Sequence, residues 1–342
     1  MRLATYNVEW FDRLFDDKGR LLADDEWSAR HNVTRRQQAE ALGIVFTALD
    51  ADAVMVIEAP DSGGRRGTVR ALETFARTFG LRTRKAVTGF ASETQQEIAL
   101  LFDPDRLSAR HDPKGEPFAQ HHHVAPRFDT AFKWDIDVDA HPETIRFSKP
   151  PLELDVRTTQ GHRLRMIGVH LKSKAPHGAN DASGIVATAI ENRRKQLAQA
   201  IWLRHRIVEH LAAGDDLVVM GDFNDGPSLD DYERLFGHST VELVMGHDEP
   251  PEMRLFDPHA AAALDKPVGP AFATARFWRN DLGRYMPALL DYIMISPGLM
   301  SRRPAWRIWH PFDDPACYET PELREALLQA SDHFPVSLDI EL

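Results

Sequence analysis

A single cysteine, Cys317, is all this chain possesses. No intrachain disulfide and no cysteine-rich zinc site can be built from it, which fits a reducing compartment. Long apolar runs are also missing, since no stretch approaches the roughly 20 residues of a membrane span. The first predicted strand starts at Arg2, which leaves no room for a secretory leader and makes a cytoplasmic protein the expectation. Positive charge is the scarcer sign: 41 Lys and Arg stand against 52 Asp and Glu, a formal net charge of −11. Tight, indiscriminate binding to duplex nucleic acid through counterion release needs clustered cations, and this balance argues against it. Repeats, charge tracts and low-complexity spacers are absent too, so nothing marks a boundary. The reading is one domain over residues 1–342, with insertions near 12–33, 103–150 and 226–286. With 43% hydrophobic residues over 342 positions the chain can bury a large core.

What is present is a set of polar signatures at the ends of short apolar runs. They are Asn7 in TYNVEW, Glu58 in AVMVIEAP, His170 in MIGVHLKSK, Asp222 and Asn224 in LVVMGDFND, Asp291 in LLDYIMIS, and Asp332 with His333 in SDHFPV. Runs rich in Val, Ile, Leu and Met read as buried strands, whose ends can converge on one cleft from distant parts of the sequence. Strands are predicted at 3–8, 53–58, 98–102, 164–171, 217–220, 290–296 and 334–340. Thr34 with Gln37 forms a capping-box signature for a helix to residue 49. Further helices are expected at 68–79 and at 185–212, where Ile190, Leu197, Ile201, Val208 and Leu211 mark one face and Arg193, Arg194 and Lys195 its border. Phe132, Trp134, Ile136 and Val138 alternate with charged residues, the period of a half-buried strand. The Asp series there lacks the glycine and terminal glutamate of a calcium loop. Residues 226–286 read as loops beside the site.

In this order the motifs resemble the endonuclease/exonuclease/phosphatase (DNase I-like) superfamily of metal-dependent phosphoesterases, from Arg2 to Leu338. GDFN after an apolar strand and SDHFPV near the C-terminus are specific in combination. The resemblance implies a four-layered α/β sandwich, with two mixed β-sheets packed face to face and flanked by helices. It also implies a divalent-metal-dependent phosphodiester hydrolase using Mg²⁺ or Mn²⁺, a nuclease in the first reading. The partner is then a phosphodiester substrate, nucleic acid, with no stable membrane association and no obligate protein partner. A phospholipid (sphingomyelinase-like) or small-molecule phosphoesterase is the alternative, because substrate choice lives in loops. A phosphate-binding regulatory protein is the non-enzymatic one, disfavoured by the intact residue set.

Within that resemblance Glu58 is the metal ligand, a hard oxygen donor that in isolation would be a surface glutamate. Asp332 is the second metal-side carboxylate, and Asn7 binds a metal-held water or supports Glu58. Asp222 and Asn224 lie two apart and point the same way in an extended segment, one orienting water and the other touching the phosphoryl group. His333 donates to a phosphate oxygen, with Asp291 orienting it and raising its pKa. His170 is a second catalytic histidine where abasic-site endonucleases carry tyrosine, and Leu290 stands where those relatives carry arginine. Glu97 is a partner that would keep His170 charged as leaving-group acid; a surface glutamate before a buried strand is the competing reading. Lys172 and Lys174 form a substrate-binding rim, whereas Arg82, Arg84, Lys85, Arg302 and Arg303 read as solvated surface charge. Trp306, Trp309 and Phe312 read as core, with base stacking or lipid contact as the alternative. His111, His121, His122, His123 and His177 are taken as surface-loop residues.

Overall fold

Side-chain parity sorts the strands into layers. The computed structural model describes residues 1–62, 66–116, 125–134, 143–175, 182–226, 237–265, 272–279 and 283–342. With strands numbered in chain order, a six-stranded sheet runs β14-β15-β1-β2-β4-β3. Its members are β1 (Arg2–Asn7), β2 (Ala53–Pro60), β3 (Lys85–Thr88), β4 (Gln96–Phe102), β14 (Ala305–Ile308) and β15 (Val336–Asp339). A five-stranded sheet runs β13-β10-β9-β8-β5, from β5 (Leu107–His111), β8 (Leu152–Thr158), β9 (Arg163–His170), β10 (Leu217–Asp222) and β13 (Asp291–Ile295). Both sheets are mixed: β1 pairs parallel with β2 and β9 with β10, while the other pairs are antiparallel.

Along β2, Ala53, Met55 and Ile57 enter a core shared with the second sheet, whereas Val54 and Val56 face helices. The same alternation divides β10: Val218 and Met220 point into the inter-sheet core, Leu217 and Val219 away from it. Helices α1 (Arg35–Leu49), α2 (Thr68–Thr78) and α7 (Pro321–Ala330) cover the first sheet through Leu42, Val45, Phe46, Leu72, Phe75 and Leu327. Helices α3 (Ala182–Ala212), α4 (Thr240–Met245) and α5 (Pro258–Asp265) cover the second through Trp202, Leu203, Val241, Val244 and Ala260. This is the four-layered α/β sandwich. Each such aliphatic or aromatic side chain, fully buried, stabilises by about 1.5–3 kcal/mol, so strands buried on both faces hold the sheet edges in fixed register.

Some segments differ from the sequence reading. The capping box of α1 is present, with the Thr34 side chain accepting from Gln37 N–H and the Gln37 side chain from Thr34 N–H. Residues 226–286, expected as loops, contain α4, α5 and a hairpin of β11 (Ala275–Arg279) and β12 (Arg284–Ala288). The Ser239/Glu242 capping box of α4 is legible in the sequence and signals this helix. Residues 12–33 hold a 3₁₀ turn at Phe11–Leu14 and the bridges Phe15 to Leu21 and Trp27 to Thr34. Of the strand expected over 132–138, β6 (Phe132–Trp134) pairs with β7 (Glu143–Ile145), and positions 135–138 lie outside the described residues, as do His121, His122, His123 and His177. His111 is not a loop residue: it sits in β5, half-buried, its ring edge-on to Phe90 at 4.8 Å. Short α6 (Pro315–Glu319) precedes α7. Among the described residues no helix is long and apolar enough to cross a membrane.

Candidate active site

Four of the strands end their inward-facing series on a polar residue at one edge of the sandwich. Asn7 follows Leu3 and Thr5 on β1, and Asp222 follows Val218 and Met220 on β10. Asp291 precedes Ile293 and Ile295 on β13, and His170 follows Met166 and Gly168 on β9. Register then sets Asp222 between His170 and Asp291. The glycine of GDFN has a steric reason: Gly221 lies at φ 141°, and a Cβ there would stand 2.0 Å from the Val169 carbonyl oxygen. Glu58 reaches the edge differently. The register of β2 slips between Ile57, which faces the inter-sheet core, and Ala59, which faces helices, and Glu58 between them has φ 61°. Such a bulge re-aims a side chain, and a non-glycine residue held there stores about 1–3 kcal/mol of strain, a mark of functional positions.

Asp222 is fully enclosed by amide donors. Its Oδ2 accepts from Asn7 Nδ2 at 3.0 Å and Asn224 Nδ2 at 3.2 Å, and its Oδ1 accepts the Asn224 backbone N–H at 2.7 Å. Burial pushes its carboxyl up, against the pull of the nearby His333 cation. His333 Nδ1–H donates to Asp291 Oδ2 at 2.8 Å. Burial opposes the imidazolium, but the Asp291 carboxylate, with Asp222 and Asp332 behind it, holds the pKa well above the ordinary histidine value. The SDH segment is tied to β1 by Ser331, whose hydroxyl donates to the Asn7 carbonyl at 2.7 Å and accepts His333 N–H at 3.0 Å. Asp332 Oδ1 lies 3.9 Å from His333 Nε2, and the Asp332 N–H donates to Glu9 Oε2 at 3.0 Å.

The structure thus gathers Asn7, His170, Asp222, Asn224, Asp291, Asp332 and His333. It does not bring Glu97 to His170. Glu97 shares the parity of Ala99 and Leu101, which face the helices, and accepts the N–H groups of Ser92 at 3.0 Å and Ser62 at 3.5 Å. The residue that does reach His170 is Lys149, which the sequence reading missed: its Nζ lies 3.1 Å from Nε2 and 3.2 Å from Nδ1. A lysine only donates, so the ring must accept, and burial with the Lys149 cation drives the His170 pKa well below its usual value. Both effects oppose the charged form expected of His170 as leaving-group acid. Lys149 is itself pulled down to about 8 by burial. Its one local signal is the following Pro150, which forces extended backbone at the approach to β8.

Lys174 donates to buried Asp225, and Lys172 is half-buried, with its backbone N–H donating to Gln199 Oε1 at 2.9 Å, so of the expected rim Lys174 anchors its own loop. Arg82 contacts Asp50, Asp52 and Asp103 at 2.5, 2.7 and 3.2 Å, Arg84 binds Asp105, and Lys85 faces Glu73. These pairs lie at the start of β2, the edge opposite the site. Arg303 meets Glu341 at the exposed surface. Trp309 is buried, Trp306 partly so, and Phe312 is exposed. Glu9 and Arg30, ion-paired beside Asp332, and Thr274, whose hydroxyl accepts the N–H groups of Leu290 and Asp291 at 2.9 Å, were also missed.

A cation has donors here. Asp222, Asp291 and His333 bring oxygen and nitrogen atoms within 4.8 Å of one another; a charged His333 has no free lone pair, which leaves the two carboxylates, and Asp291 Oδ1 is a buried acceptor without a hydrogen-bond partner. Two further carboxylates, Glu58, where Oε2 accepts Trp10 N–H at 2.9 Å, and Asp332, are hard oxygen donors that stand outside that group of three.

No curated protein sequence matches this chain. Solved structures similar to it include a 3′ phosphatase of Neisseria, NExo, bound to product DNA hairpin, with 15% identity, 100% of each chain covered and a TM-score of 0.50. Another is an AP endonuclease of Archaeoglobus fulgidus, with 11% identity, 100% of each chain covered and a TM-score of 0.50. At those identities the likeness is one of fold. The model of the Endonuclease/Exonuclease/phosphatase family matches residues 4–333, a span that includes every side chain gathered at the sandwich edge, and the chain belongs to that family.

Proposed function

We propose that this family member is a divalent-metal-dependent phosphodiesterase acting on nucleic acid. The observation that carries it is the pairing of a donor-caged carboxylate, Asp222, with an imidazolium, His333, held charged by Asp291. Hydrolysis of a phosphodiester needs a base for water, cations for the non-bridging oxygens and help for the leaving alkoxide. Asp222 is the base: the amides of Asn7 and Asn224 fix its direction, and its raised pKa brings its basicity nearer working pH. His333 donates through Nε2–H to a phosphoryl oxygen, since its Nδ1–H is committed to Asp291. Lys149 supplies a second cation, and His170, 3.6 Å from Asp222 Oδ2, stands between the two. Asn7 carries both of its amide ends in protein contacts, to Asp222 and to Glu9 N–H at 3.1 Å, so it supports the base and leaves ligation to carboxylates. Glu58 and Asp332 would hold Mg²⁺ or Mn²⁺, which when bound neutralises phosphoryl charge and stabilises the departing oxygen. The DNA in the Neisseria structure makes nucleic acid the first substrate to test.

The deciding experiment sets purified protein with Mg²⁺ or Mn²⁺ against plasmid DNA, single-stranded DNA, RNA, sphingomyelin and bis(p-nitrophenyl) phosphate. Nucleic-acid cleavage supports the proposal; turnover confined to the lipid refutes it. Glu58→Gln is expected to weaken Mn²⁺ binding in calorimetry by at least about 10-fold, the loss that changes outside the ligand set already cause. Wild-type affinity in that variant would remove Glu58 from the metal site.

Lys149 gives a signed pH dependence. With its pKa at about 8 the ammonium discharges as pH rises through that value, so turnover should fall on the alkaline side. Arginine keeps its charge throughout, so Lys149→Arg should move the descending limb upward. An unmoved limb would show that Lys149 does not set it.

A further inference from the structure

The β11–β12 hairpin grows directly out of the catalytic floor. Ala275 bridges His333, the Arg276 N–H donates to the Asp332 carbonyl at 2.7 Å, and the Thr274 carbonyl accepts the Phe334 N–H at 2.6 Å. From that root the two strands run outward as an isolated ribbon. Cross-strand register sets Arg276 opposite Pro287 and Trp278 opposite Tyr285, and directly opposed residues share a face. On this face Trp278 is 51% and Tyr285 50% exposed, with their rings edge-to-face at 5.1 Å. The Arg276 guanidinium lies 4.1 Å from the Tyr285 ring centre and 5.4 Å from that of Phe312, itself exposed.

We propose that this face is a stacking platform for unpaired nucleobases beside the scissile phosphate, so that single-stranded or frayed nucleic acid is the preferred substrate. The proposal rests on the reading of the chain as a nuclease. Trp278 lies three residues beyond the His333 bridge, about 10 Å along the strand, so a base on its ring belongs to a nucleotide near the one being cut. Arg276 supplies a cation over the Tyr285 ring and beside Phe312, next to the Trp278 ring that meets Tyr285 edge-to-face, a surface that receives a base and a backbone phosphate together. The charge balance points the same way. A chain of net charge −11 gains little from tracking a duplex's phosphates, whereas stacking draws on the π-face that every unpaired base exposes and a duplex conceals. Aromatic rings also settle at lipid interfaces. The guanidinium held over the Tyr285 ring and the root in the catalytic floor favour nucleic acid.

The test is binding read by fluorescence anisotropy in EDTA, where no turnover intervenes. Dye-labelled single-stranded oligothymidylate and a duplex of equal length are compared for wild type, Trp278→Ala, Trp278→Phe and Trp278→Ala/Tyr285→Ala. Sedimentation with phosphatidylcholine/phosphatidylserine vesicles and hydrolysis of bis(p-nitrophenyl) phosphate with Mn²⁺ run alongside. Wild type should prefer the single strand. Trp278→Ala should weaken that binding by roughly 5- to 150-fold, the range for loss of one stacked base, and Trp278→Phe should restore most of it. Hydrolysis of the small diester should not change. Unchanged oligonucleotide affinity, equal wild-type affinity for duplex and single strand, or loss of vesicle binding alone would each overturn the platform. So would a parallel loss of small-diester hydrolysis in the alanine variants, which would make the hairpin a support of the floor. Wild type inert toward every diester would refute the catalytic reading, and the anisotropy would still decide the platform.

Discussion

Asp222→Asn is expected to lower kcat by about 10²–10⁴-fold, the contribution of a positioned general base, with little change in KM. The size follows from the cage around the carboxylate. Asn7 and Asn224 direct three hydrogen bonds at its two oxygens, so no other group stands in its place, and the amide that replaces it cannot take a proton from water. The same burial that makes Asp222 a useful base makes its ionised form costly to the fold. Its folded pKa is raised, so the stability its burial permits is complete below the unfolded carboxyl pKa and is lost as pH rises through the folded one. The thermal midpoint of wild type should therefore fall relative to that of Asp222→Asn as pH rises, a trend melting curves across the acid-to-neutral range will show. Wild-type turnover in the variant would refute Asp222 as base. A constant difference between the two midpoints would refute the ionisation argument alone.

Parity explains what the sequence disclosed and what it concealed. The runs that end in Asn7, His170 and Asp222 and the one that opens on Asp291 are readable because a strand buried on both faces is continuously apolar up to its end, and that end is where side chains meet at a sheet edge. Counting by twos along β4 from Ile98 and Leu100, which enter the inter-sheet core, puts Glu97 on the opposite face and would have removed it from the site. Glu58 is harder: simple alternation sends it toward the helices, and only the bulge between Ile57 and Ala59 turns it, a feature with no local composition. Lys149 and Arg30 arrive from irregular segments far from any motif, and such approaches are fixed by tertiary packing. The hairpin at 275–288 was hidden for another reason. Its strands are exposed, so they lack the apolar run that reveals a buried strand, and Pro287 within one of them reads as a break.

Asp291→Asn should produce a defect that grows with pH. The Asp291 carboxylate is the largest influence raising the pKa of His333, and it works against the burial that lowers it. Without that charge burial is opposed only by Asp222 and Asp332, so the imidazole loses its proton at lower pH and the cation facing the phosphoryl group is lost earlier as pH rises. Asp291 also raises the Asp222 carboxyl, so its removal lets the base ionise at lower pH. Both changes move the optimum toward acid. At about pH 8 the variant should be roughly 10²-fold or more below wild type, as for loss of an electrostatic donor in a water-poor site. As pH falls and His333 regains its proton, the gap should narrow. Profiles of kcat/KM measured on bis(p-nitrophenyl) phosphate and on a natural diester report this without ambiguity from the leaving group, since the phosphoryl contact is common to both. A ratio that stays level from acid to alkaline pH would mean that Asp291 only holds the ring in place through its 2.8 Å hydrogen bond.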